Sequence, residues 1–168
     1  MSWRRLLGAQ GSPAAICIRL MVGLVFLSEG IQKFLFPHQL GPGRFERIGI
    51  PAATFLANLD GVIEIVCGTL IVVGMVTRAA AIPLLIDIVG AIVLTKLPEL
   101  QPGGFLGVEG FWGMAHDART DLSMLLGLAF LLWSGPGRWS VDARLATECP
   151  SPPEHRKPPA GTSARRTR

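Results

Sequence analysis

ATFLANLDGVIEIVCGTLIVVGMV, residues 53–76, is the stretch that decides the fold. It follows Pro51, leaves through Thr77 and Arg78, and is apolar along nearly its whole length. Coiled as a helix it runs about 36 Å at ~1.5 Å per residue, enough to cross a ~30 Å hydrocarbon layer. Yet Asp60 and Glu64 sit inside it, one helical turn apart, with Cys67 on the same face and Gly61 and Gly68 beside them. A carboxylate in hydrocarbon costs at least ~2.5 kcal/mol, so this span carries charges that need a reason.

Working outward, Arg78 is followed at once by a third apolar run, 79–97, which ends at Lys96 and Pro98. Pro83 falls near its start, where a missing amide costs little. Upstream, residues 14–36 form a first run that Pro37 stops. Its beginning imitates a secretory leader, but Arg19 interrupts the apolar stretch and no small-residue cleavage site follows, so we read a retained helix. The fourth run, 122–133, is only about 18 Å long as a helix. Extended back to Phe111 it becomes long enough, and then brings His116, Asp117, Arg119 and Asp121 to the membrane or its edge. A re-entrant segment is the alternative. The reading is an all-α, four-helix transmembrane bundle: an N-terminal arm (1–13), a four-span domain (14–142) and a basic, Pro-rich tail (143–168) expected to be disordered.

Hydrophobic residues make up 49% of the 168-residue chain, gathered in runs rather than spread in amphipathic stripes. The net charge of +4 arises mainly at the ends, beside the apolar runs and without a nucleic-acid motif. Such flanks point to anionic lipid and membrane topology, not to nucleic acid. The N-terminus, the 77–78 turn and the tail hold most of the Lys and Arg, whereas loops 37–52 and 98–110 hold only Arg44 and Arg47. Both termini are therefore expected to be cytoplasmic, in a multi-pass protein of the plasma (inner) membrane. Cys17, Cys67 and Cys149 include no CxxC pair, which speaks against disulfide exchange.

The intramembrane charges are the candidate site. On the first helix Arg19, Gly23, Phe26, Gly30 and Lys33 share a face. Glu29 precedes Lys33 by one turn, the favourable order for an intrahelical pair. Asp60 and Glu64 lie on the second helix and Asp87 near the middle of the third; His116, Arg119 and Ser123 can share a face of the fourth, near Asp121. Helix rise places Arg19 within reach of Asp87, or nearly of Glu64, and predicts an interhelical pair. One reading is that these charges only pair and fix the packing. The other is a polar cavity, open toward the outer face, that holds a quinone head group, a small anion or a proton, with His116 suited to proton transfer. His116, Asp117 and Asp121 make a weak metal set, and no metal is expected.

Arg19, Gly23, Phe26 and the string Glu29-Gly30-x-x-Lys33-Phe34 resemble the first helix of DoxX-like membrane proteins. So do Gly49-x-Pro51, Glu64-x-x-x-Gly68, Gly74-x-x-Thr77-Arg78 and the ending Gly135-Pro136-Gly137-Arg138-Trp139-Ser140-x-Asp142. The resemblance covers most of residues 14–142, and the segment around His116 and Arg119 looks like one branch of the family. It implies a four-helix bundle in the plasma membrane, and some similar proteins are associated with quinone-linked sulfur oxidation or membrane redox complexes. It assigns no catalytic residues; Arg19, Glu29, Lys33, Glu64 and Arg78 are the positions that match the family's pattern.

The sequence shows no haem-ligand pair, flavin fingerprint or CxxC, so any electron transfer must borrow a cofactor or use a quinone itself. The expectation is a membrane subunit of a redox system, not an enzyme on its own, with no covalent cofactor. Its partners would be the lipid bilayer, a redox enzyme subunit and further copies of the chain. A small transporter or proton-coupled permease is the alternative, and a non-catalytic scaffold for a partner enzyme a third.

Overall fold

The computed structural model describes residues 15–100 and 110–148, and these are helical without strands. The arm at 1–13 and the tail beyond Glu148 lie outside the described residues. Helix α1 (Ala15–Leu35) is followed by a short α2 (Pro42–Ile48), then α3 (Ala53–Val73) and α4 (Thr77–Ala91). The last of these continues through a π-helical turn (Ile92–Lys96) and a 3-10 turn (Leu97–Leu100). Then come α5 (Phe111–Asp117), α6 (Arg119–Ser134) and α7 (Val141–Glu148).

Three of these have the length and apolar composition of membrane spans: Ala15–Leu35, Ala53–Val73 and Thr77–Lys96. The fourth hydrophobic run is divided at Ala118, whose ψ of −2° ends α5 and starts α6. The sixteen residues of α6 reach roughly 24 Å. The first part of the expected disordered tail is instead helical, because α7 begins at Val141 and runs to Glu148. Ser140 starts it, its hydroxyl accepting from Ala143 N at 3.1 Å as an N-cap does.

The long helices close a ring: α1 packs on α3, α3 on α4, α4 on α6 and α6 on α1. The α1–α3 contact is the closest, and glycine makes it so. A Cβ on Gly68 would fall 2.8 Å from Leu27 N, and one on Gly23 would fall 2.9 Å from the Gly68 carbonyl oxygen. In lipid, where apolar side chains gain nothing by leaving one neighbour for another, such backbone contact supplies the dispersion energy of association. Outward faces carry Leu24, Phe55, Val66, Ile82 and Leu126, all exposed, as a surface solvated by acyl chains requires.

Between the helices lies an apolar core of Val22, Phe26, Ile71, Ala81, Leu84, Leu128 and Leu131. Because neighbouring helices run antiparallel, this core separates two polar layers. One lies at the end bearing the 74–78 turn and α7, the other at the end bearing α2.

Candidate functional site

At the turn end, Gly74 ends α3 with φ 76°, its N–H donating to Leu70 and Ile71 carbonyls. Val76 follows at φ 50°, a costly conformation for a β-branched residue. Asp142 holds this turn in place. One of its carboxylate oxygens accepts from Val76 N at 2.7 Å and the other from Thr77 N at 3.1 Å, and its own N–H donates to the Gly74 carbonyl at 3.0 Å. A buried anion thus caps the N-terminus of α4, where the helix dipole favours it.

Arg19 belongs to this layer. Its guanidinium donates to the carbonyls of Pro136 and Trp139, each at 2.9 Å, and Asp142 is its electrostatic neighbour. The expected pair with Asp87 or Glu64 does not form. Arg19 packs level with Gly74, at the very end of the bundle, while Asp87 stands ten residues into α4, roughly 15 Å further along. The apolar core fills the interval, and the backbone carbonyls of the 136–139 loop lie closer than any acid on α3 or α4.

At the other end, four of the predicted residues do converge. Lys33 forms ion pairs with Asp60 and with Glu64, the latter at 2.7 Å. Asp87 approaches from α4, so that one carboxylate oxygen from each of Asp60, Glu64 and Asp87 lies within 4.8 Å of the others. Lys33 thus reaches across to α3 instead of back to Glu29, and the intrahelical pair is not made. The spacing of Asp60 and Glu64 on one face of α3 explains why a single ammonium can serve both. Three such carboxylates would also suit a hard divalent cation. The ammonium of Lys33, however, already lies between two of them as their counter-ion.

This cluster faces a cavity of about 750 Å³ bounded by α1, α2, α3, α4 and α6. Apolar side chains make most of the wall, among them Phe26, Ile63, Ile86 and Met124, and Glu29 lines it too. Helix α2 covers it, presenting Arg44, Phe45 and Ile48; the Phe45 ring lies 6.0 Å from Lys33 Nζ, within cation–π range. Pro42 at the first turn suits α2's start, and Arg47 ties the helix to the preceding loop by donating to the His38 and Gln39 carbonyls at 2.9 Å. At the rim, Lys96 pairs with Asp117 and lies 3.7 Å from Asp121, which lines the cavity opposite Arg44.

The remaining predicted residues stand apart. His116 is exposed on α5 and Arg119 is exposed at the start of α6, donating to the His116 carbonyl; neither lines the cavity. The imidazole expected in the cavity is outside it, because α5 and α6 break at Ala118 and its ring leaves the inward face. The set of His116, Asp117 and Asp121 does not assemble as a metal site, since both aspartates turn to Lys96. Sequence reasoning overlooked α2 as a cover and Lys96 as the partner of the fourth helix. The signal for the first was Pro42 opening a short run in which Phe45 and Ile48 share a face.

A family model described as DoxX matches residues 14–97. An uncharacterized membrane protein of Mycobacterium tuberculosis is 80% identical over 151 residues, which is 88% of this chain and 93% of that protein. A Bacillus subtilis protein named "Putative oxidoreductase CatD" is 31% identical over 85 residues, 49% of this chain and 59% of that one. No solved structure matches the chain.

Proposed function

We propose a function from the premise that this chain belongs to the DoxX family of membrane proteins: it is the membrane subunit of a redox system, and its cavity binds a quinone or a small solute of similar shape. The carrying observation is the pairing of a 750 Å³ apolar-walled cavity with the Lys33–Asp60–Glu64–Asp87 cluster. A planar ring suits walls of Phe26, Ile63 and Ile86, while its oxygens meet ammonium and carboxyl groups able to donate, accept and pass protons. The name borne by the Bacillus subtilis relative fits this reading.

In this proposal α6, together with α5, serves as a fourth span in the plasma membrane, and the turn end with α7 faces the cytoplasm, as the positive residues there favour. The cavity then opens on the outer half. Electrons pass between bound quinone and a partner enzyme subunit. The apolar core between the two polar layers weighs against the transporter alternative, which needs a polar route through Val22, Leu84 and Leu128.

The test is purification in native lipid followed by solvent extraction and absorbance. Quinone should co-purify in near-stoichiometric amount and be lost in Lys33→Met protein that remains folded. Parent protein that binds no quinone at saturating concentration overturns the proposal.

A further inference from the structure

The cluster at the cavity is unequally supplied with hydrogen-bond donors and acceptors. Asp60, Glu64 and Asp87 together present six carboxyl oxygens, each able to accept more than one hydrogen bond. Against these stand the three N–H groups of the Lys33 ammonium, which donates to Asp60 and lies 2.7 Å from Glu64, and the few protons that three carboxyls so close together share among themselves. Glu64 Oε2 is the most telling atom. Its side chain is 5% exposed, it lies on the cavity wall, and apart from the ion pair with Lys33 it accepts no directed hydrogen bond. A buried acceptor without a well-aligned donor carries a desolvation cost that a ligand hydroxyl can relieve.

Other donors around the cavity are few. The Thr95 hydroxyl is spent on the Ala91 carbonyl at 2.6 Å. Arg44 stands on the covering helix, facing Asp121 at the rim. The inner end therefore offers many more acceptors than donors, six carboxyl oxygens against the N–H groups of one ammonium and the protons the carboxyls share. A quinone brings two carbonyl oxygens, which only accept, and competes with the carboxyl oxygens for those few donors. Its two-electron-reduced form brings two O–H donors on the same ring, and each can meet a carboxylate oxygen.

Resting on the quinone-site reading above, we infer that the cavity selects the reduced, dihydroxy-aromatic form of its ligand over the oxidised dicarbonyl form. The selection comes from the carboxyl-rich face formed by Asp60, Glu64 and Asp87. It acts on hydroquinones and catechols alike, since both present two phenolic O–H groups on one ring. Tighter binding of the reduced form also raises the reduction potential of the bound couple, by about 30 mV for each tenfold preference.

The experiment uses the full chain in nanodiscs, titrated under anaerobic conditions with a decyl-substituted benzoquinone and with the same compound as hydroquinone. The dissociation constant of the hydroquinone should be at least about tenfold lower. Glu64→Gln, which replaces one acceptor by an N–H donor of the same shape, should bring the two constants toward parity. Equal binding of the two forms by the parent protein, or tighter binding of the quinone, overturns this inference while leaving the quinone site standing. Binding of neither form overturns both. Should Glu64→Gln not fold, the parent comparison decides, with an equilibrium redox titration of the bound couple as second readout. A potential at or below that of the free couple overturns the inference.

Discussion

The guanidinium of Arg19 occupies the space that a side chain at Gly74 would need: a Cβ there would fall 2.5 Å from Arg19 Nη1. Gly74 is therefore fixed twice, by its φ of 76° and by the cation packed upon it. Gly74→Ala should lower the unfolding free energy by about 2 kcal/mol or more, the strain and the displacement of Arg19 acting together. Denaturation of the purified protein in mixed micelles measures it. A loss below about 0.5 kcal/mol would mean that the turn yields easily.

Arg19 and Asp142 should be coupled, and Arg19 and Asp87 should not. Arg19→Met leaves the Pro136 and Trp139 carbonyls without their donor, a loss of about 2–4 kcal/mol for a buried charged contact. In a double-mutant cycle with Asp142→Asn the coupling should reach about 1 kcal/mol or more; with Asp87→Asn it should stay within about 0.5 kcal/mol. The reverse ranking would restore an Arg19–Asp87 pair.

Removing Lys33 strands three acids. Lys33→Met should cost about 3–5 kcal/mol, as breaking one side of a buried ion pair does, and Lys33→Met combined with Glu64→Gln should recover part of it. Thermal unfolding of single and double variants checks this. If the double variant is no more stable than Lys33→Met alone, Glu64 is not the partner that matters.

Glycines on the two faces of the bundle should behave oppositely. Gly68→Ala places a methyl 2.8 Å from Leu27 N and should cost about 1–3 kcal/mol by prising α1 from α3. Gly90 has nothing within 4 Å of its would-be Cβ, so Gly90→Ala should be neutral or stabilise by up to about 1 kcal/mol. Equal effects at both sites would contradict the close α1–α3 approach.

Much of this was legible in the chain itself. Long apolar runs bounded by Pro37, Pro51 and Pro98 marked three spans, because hydrocarbon imposes length and composition on anything that crosses it. The convergence of Lys33 with Asp60, Glu64 and Asp87 was legible as a set of misplaced charges, though not as pairs. Which charge meets which depends on where each helix begins, and α4 begins two residues earlier than the run of apolar residues suggested. That difference, with the position of Arg19 beside Gly74, moved the arginine into a different layer from Asp87. His116 was misjudged for a similar reason: the bend at Ala118 leaves no periodic trace, yet it sets which way an imidazole about half a turn away will face.

The hydrogen bonds of Arg19 also set a timetable. Its nearest acceptor lies 117 residues downstream. At a synthesis rate of roughly 5–20 residues per second, Arg19 is added to the chain roughly 6–23 s before Pro136 exists. During that interval the nascent chain carries a cation it cannot satisfy from its own backbone, and the membrane's insertion machinery or a lipid phosphate must shield it. A chain cut short before residue 136 never ends that wait, because it lacks both carbonyl acceptors of Arg19.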